Sequence, residues 1–143
     1  MRVLLVLASA ALLSACMSTP EQQARTERNE AAAEVAADGQ SFGDGARMAG
    51  PARSCVPLTE IRTSRVLSDR VIDFSRGTGH EAYRVVLPQS CPSLGFEQRF
   101  TYSTSLSQLC AQDIITVLQG PGAMRGASCG LAPFQPITLP ERR

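Results

Sequence analysis

The chain contains no lysine and no tryptophan, and only one histidine and two tyrosines among 143 residues. Without lysine there is no Schiff base, no lysine general base and no phosphate-loop ammonium. Without tryptophan, and with five phenylalanines spread along the chain, there is no dense aromatic platform for stacking sugars or bases. Charge of one sign is also lacking. From Cys16 onward 13 arginines balance 13 acidic residues, so there is no basic footprint for nucleic acid. No apolar run approaches the ~20 residues of a bilayer-spanning helix. No two cysteines form a Cys-x-x-Cys pair, which removes the usual redox motif and the zinc knuckle.

What the chain does have begins at its first residue. Met1-Arg2 supplies a positive start, and residues 3–13 are apolar apart from Ser9. Leu13-Ser14-Ala15-Cys16 closes the run with small residues. This is the order of an export signal, expected to occupy residues 1–15 and to be cut before Cys16. Leu-Ser-Ala-Cys resembles the lipobox of Gram-negative lipoproteins. That resemblance implies a diacylglyceryl group on the sulfur of Cys16 and a third acyl chain on its freed amine. It also implies sorting: Met17, in place of aspartate after the lipidated cysteine, implies the periplasmic face of the outer membrane rather than inner-membrane retention. A single acyl chain binds a bilayer only marginally, whereas two or three hold for the life of the protein.

Residues 16–54 read as a lipidated terminus and linker. Thr19-Pro20-Glu21-Gln22 has the order of a capping box with proline at the first helical position. Glu, Gln, Arg and Ala continue to about residue 37, so this stretch is expected to be partly helical, with almost no apolar face to bury. Asp38-Gly39 ends it, and 41–50 is Gly-rich. As a flexible coil, roughly 38 residues have a mean reach of ~35 Å, enough to hold a domain clear of the headgroups.

From Cys55 to Arg143 short strand-like stretches alternate with turn signals. Residues 63–67 and 70–74 flank Ser68-Asp69 as a hairpin, and 75–81, holding Gly77 and Gly79, form the next turn. In 82–87, Tyr83, Val85 and Leu87 share one face. Phe96, Phe100 and Tyr102 sit at even spacing, 113–118 is another strand, 120–130 reads as a long loop, and 131–138 is a last extended piece. The expectation is an all-β domain, either a small disulfide-stapled barrel or a rolled antiparallel sheet, since closure removes exposed edges.

Four cysteines remain beyond Cys16: Cys55, Cys91, Cys110 and Cys129, at spacings of 36, 19 and 19 residues. An even count in a small exported domain reads as a disulfide framework. Cys91–Cys110 with Cys55–Cys129 is the favoured pairing, among three that four cysteines allow. Several stretches together resemble a family of small cysteine-containing Gram-negative lipoproteins. They are Cys55-Val56-Pro57-Leu58, Asp69-Arg70-Val71-Ile72-Asp73-Phe74, Leu87-Pro88 before Cys91-Pro92-Ser93-Leu94, Leu109-Cys110 with Asp113-Ile114-Ile115-Thr116-Val117, and Cys129-Gly130-Leu131 with Phe134. That resemblance implies no activity, substrate or catalytic residue.

Four constellations invite chemistry. Gly77-Thr78-Gly79-His80-Glu81-Ala82 matches a dinucleotide fingerprint formally. A strand running to Pro88 follows it instead of the helix that would face a pyrophosphate, so a hairpin turn is expected. His80 with Asp69 or Asp73 and a serine sketches a triad without the Gly-x-Ser-x-Gly elbow. Asp73, Glu97 and Asp113 sketch paired carboxylates. Their arginine neighbours, Arg62, Arg65, Arg70 and Arg99, suggest cross-strand charge pairs instead. Arg62, Arg65, Arg70 and Arg76 sketch an anion-binding face. No catalytic residue, cofactor site or metal site is expected. The functional expectation is a membrane-anchored, non-catalytic envelope component that binds or supports a protein or the wall. The alternative is a small periplasmic hydrolase or lipid-binding protein with a pocket lined by Tyr83, Phe96 or Phe100.

Overall fold

A computed structural model of the chain describes residues 18–104 and 106–141. The signal segment 1–15 and Cys16 lie outside the described residues. The first element is α1 (Pro20–Ala31), and its start follows the sequence closely. The Thr19 hydroxyl accepts from the Gln22 N–H, the Gln22 side chain accepts from the Thr19 N–H, and Pro20 opens the first turn. No residue of α1 is buried.

The helix stops at Ala31, earlier than composition suggests, because the chain has something to pack against from there on. Ala32, Phe42 and Ala46 are buried. Val35 bridges Phe42 in antiparallel fashion, and Ser41 bridges Arg47. Gly43 passes so close to the helix end that an added Cβ would sit 2.7 Å from the Ala31 carbonyl oxygen, so only glycine fits. The chain then adds the two-residue strand β1 (Arg47–Met48) to the main sheet. Residues 32–54, expected to be linker, therefore belong to the fold. The expected domain boundary at Cys55 lies inside a packed unit.

The main sheet is built on a meander of three strands, β3 (Ile61–Val66), β4 (Val71–Arg76) and β5 (Glu81–Val86). Before them comes β2 (Cys55–Pro57), and after them come α2 (Leu94–Glu97), β6 (Phe100–Tyr102), β7 (Gln108–Cys110), β8 (Ile114–Gln119), β9 (Met124–Gly130) and β10 (Gln135–Thr138). Five strands form one antiparallel sheet in the order β1-β10-β5-β4-β3. Pro136 sits in β10, where a missing N–H is tolerated because the neighbour beyond it, β1, is only two residues long.

The other strands form a second layer, the pair β2-β7 and the three-stranded β6-β8-β9. Val56, Phe74, Tyr83, Val85, Leu109, Ile115 and Phe134 meet between the layers in one core. The fold is thus mostly β, as composition suggested, but its strands lie in three open antiparallel sheets. It is not a closed barrel. The stretch 120–130, read as a loop because of its glycines, is largely β9. Its small residues pair along β8 with a bulge where Thr116 and Leu118 oppose Ser128 and Arg125.

Two bridges form, and their pairing differs from the expected one. Cys55 joins Cys110 and Cys91 joins Cys129, closing separations of 55 and 38 residues. Cys91–Cys110 and Cys55–Cys129 are not formed. The reason is sheet register. β2 pairs with β7 so that Cys55 stands directly opposite Cys110, and β9 brings Cys129 to the segment after β5. On the chain-entropy account each bridge contributes ~3–4 kcal/mol.

Candidate functional site

The most concentrated charge in the structure lies on the outer face of the main sheet. Alternation along β5 sends Tyr83 and Val85 into the core, which leaves Ala82 and Arg84 on the opposite face. Yet Arg84 is fully buried, and so is Asp73 beside it on β4. The guanidinium engages all five of its N–H groups. Its Nε and one Nη2 proton donate to the two oxygens of Asp73 at 2.8 and 2.9 Å. Nη1 and Nη2 donate to the two oxygens of Asp44 at 2.8 Å each. The remaining Nη1 proton reaches the Ala32 carbonyl at 3.3 Å. The plane lies 4.8 Å from the centroid of Phe42, within cation–π range.

Burial by itself would push Arg84 toward the neutral form. The hydrogen bonds and charges of Asp73 and Asp44 outweigh it and hold the group further above its ordinary value. Asp44 shows the same contest: burial raises its carboxyl, but the Arg84 hydrogen bonds and charge pull it below the ordinary 3.8. With two carboxylates and a carbonyl consuming every donor, Arg84 has nothing left for a ligand. It is a lock that fastens residues 32–46 to the sheet.

A second cluster surrounds the Tyr83 hydroxyl, where β5 meets the turn before β3. The buried ring packs against Phe134 with centroids 6.4 Å apart. Its hydroxyl donates to Glu60 and accepts from Arg53 at 3.2 Å. Arg76 lies over the ring at 4.8 Å and pairs with Glu60 at 3.7 Å. Burial and the Glu60 contact push the phenol above its ordinary 10.0.

Between α1 and the body runs an open groove of about 630 Å³. Arg25 and Asn29 contribute from the helix, Asp69 and Arg70 from the β3–β4 turn, and Gly95 and Gln98 from α2. Asp69 is committed to the Gly95 N–H at 2.7 Å, which leaves a hydrophilic trough of mixed charge.

The residues singled out from sequence are not brought together. His80 lies exposed in the β4–β5 turn, and among the described residues no hydrogen bond joins it to Asp69 or Asp73. Gly77-Thr78-Gly79-His80 is that turn, with Gly77 at φ 59° and β5 following directly. Asp73 is consumed by Arg84, Glu97 accepts from the Gly120 N–H, and Asp113 accepts from the Cys110 N–H. Arg65 pairs with Asp73 at 3.6 Å, Arg70 donates to the Leu87 carbonyl, and Arg76 pairs with Glu60 and Glu81. These arginines serve separate partners rather than one anion face. Among the described residues no set of three His, Cys, Asp or Glu is grouped to hold a metal, and no helix is long and apolar enough to cross a membrane.

Sequence reading missed the Arg84 lock. Two signals pointed to it. Val71, Ala82 and Val86 make the outer face of β4 and β5 too apolar for water, and Phe42 is the one aromatic residue in an otherwise Gly-rich stretch. No family model matches the chain, and neither a curated protein nor a solved structure matches it.

Proposed function

We propose that this is a Gram-negative envelope lipoprotein, acylated on Cys16 and held at the periplasmic face of the outer membrane. There it acts as a non-catalytic component that binds or supports another envelope protein or the wall. The observation that carries the reading is the state of the cysteines. All four that follow the Leu-Ser-Ala-Cys sequence are joined in bridges, the chemistry of an oxidising compartment. A lipobox delivers a protein to just such a compartment. The resemblance to small cysteine-containing lipoproteins points the same way.

The alternative, a hydrolase or lipid-binding protein, calls for a cavity around Tyr83, Phe96 or Phe100. Tyr83 is fully buried, Phe100 packs edge-on against Phe74 at 6.2 Å, and Phe96 is 87% exposed. The three aromatics occupy three different environments, which favours the binding reading over the pocket reading.

The test is fractionation in a Gram-negative host. The natural chain should travel with the outer membrane on a density gradient, and Cys16→Ser should be released with the soluble periplasmic fraction. A natural chain found soluble, or a serine variant that still sediments with the membrane, overturns the anchor. Cross-linking in intact envelopes then asks for the partner. A discrete adduct lost in Cys16→Ser supports a binding role at the membrane, and turnover of a wall or lipid substrate by the purified protein contradicts it.

A further inference from the structure

Phe96 is 87% exposed, yet the turn that carries it is held rigidly. α2 is four residues long and bounded by two non-glycine residues in the left-handed region, Ser93 at φ 67° and Gln98 at φ 53°. Such backbone persists only where the surroundings enforce it. Here they do: the Cys91–Cys129 bridge lies just before α2, Asp69 receives the Gly95 N–H, and Glu97 receives the Gly120 N–H. Arg99 adds a bond to the Gly120 carbonyl at 2.6 Å. These bonds fasten α2 to the tip of the β8–β9 hairpin, which exposes a second large apolar side chain, Met124, at 69%. A scattered exposed apolar residue is ordinary. An aromatic braced outward from both sides is not explained by packing.

Its position relative to the chain's beginning supplies a partner. Arg25 of α1 and Gly95 and Gln98 at α2 line the same groove, so α2 lies alongside the middle of α1. From Pro20 to Arg25 the helix rises ~8 Å. Cys16 stands only four residues before Pro20, a span of at most ~14 Å. Acyl chains on Cys16 are therefore tethered within roughly 20 Å of Arg25, across the groove from Gly95, the residue before Phe96.

We propose that α2 is a second membrane contact, with Phe96 seated in the headgroup region of the bilayer that holds the anchor. This rests on the reading that Cys16 is acylated. An aromatic ring at the lipid–water boundary buries apolar area while the polar turn around it stays wet. The contact would fix how the domain faces the periplasm, which a lipid on a free tether does not.

The absence of tryptophan makes the test clean. Phe96→Trp installs a sole reporter at an exposed site, and Thr78→Trp installs one in the β4–β5 turn, at the far end of β4 from Asp69 and ~20 Å away. Each protein is purified with its acyl groups confirmed by mass and reconstituted into phosphatidylethanolamine–phosphatidylglycerol vesicles with brominated chains. The expected result is blue-shifted, quenched emission at position 96 and unquenched, water-like emission at 78. An unquenched reporter at 96 in acylated protein overturns the contact, as does equal quenching at both positions. Mass showing no acylation counts against the anchor instead. The same pair of reporters on the Cys16→Ser chain at high lipid then decides the contact separately, a weaker signal at 96 alone supporting it and none opposing it.

Discussion

α1 and the stretch that follows it, residues 32–48, are neighbours in the chain, yet they end in opposite situations. The helix satisfies its own backbone and buries no side chain. The following stretch has little regular structure of its own, but it closes the outer face of the main sheet through Phe42, Ala46 and Asp44. Local hydrogen bonding is enough to form a helix in the first case. In the second, an ordered path exists only because β4 and β5 present Val71, Ala82 and a buried arginine that must be covered. The part that looks structured buries no side chain, and the part that looks like linker packs into the fold.

The sharpest way to break this comparison is truncation. A chain beginning at residue 32 should unfold in denaturant at nearly the same midpoint as one beginning at residue 18. A chain beginning at Cys55 leaves Arg84 without Asp44 and uncovers the sheet, and should lose at least ~5 kcal/mol, enough to unfold many small domains. Equal midpoints for the 32 and 55 starts would remove the distinction.

Single substitutions should follow in order. Arg84→Ala strands two carboxylates, one of them buried, and should cost ~3–5 kcal/mol in the same assay. Phe42→Ala, which empties a nearly buried ring site beneath the guanidinium, should cost ~3 kcal/mol. An acid titration comes next. The carboxyl of Asp44 is held below 3.8 by Arg84. Its contribution is therefore complete above that pH and is lost as the pH falls through the lowered folded value. The unfolding midpoint of the natural chain should drop across that acid range, and Asp44→Asn, weaker at neutral pH, should drop less. The smallest effect is expected from Thr19→Ala. It removes a cap worth ~1 kcal/mol to α1 itself, so it should lower helical circular dichroism while leaving the global unfolding midpoint unchanged.

How far the sequence could be read follows the same physics. Local rules were legible. The capping box at Thr19, the hairpin turn at Gly77 and the inward row Tyr83, Val85 and Leu87 all depend on neighbours a few residues away. Pairings across long separations were not. Nothing near Cys55 announces that β2 will lie against β7, and the pairing of Cys55 with Cys110 rests on that register. β9 was hidden because Gly126 and Gly130 signal a turn locally, while pairing with β8 decides otherwise. His80, Asp69 and Asp113 carry chemistry by type but occupy separate local roles, whereas Arg84, which no motif marks, is the most heavily bonded side chain among the described residues.

The function proposed depends on what is joined to the sulfur and amine of Cys16, and intact-mass and N-terminal peptide spectrometry on the protein isolated from a Gram-negative host measures that directly. The account predicts a chain starting at Cys16 and carrying a diacylglyceryl group and an amide-linked acyl chain. A chain starting at Met1, or a Cys16 terminus of unmodified mass, would contradict it.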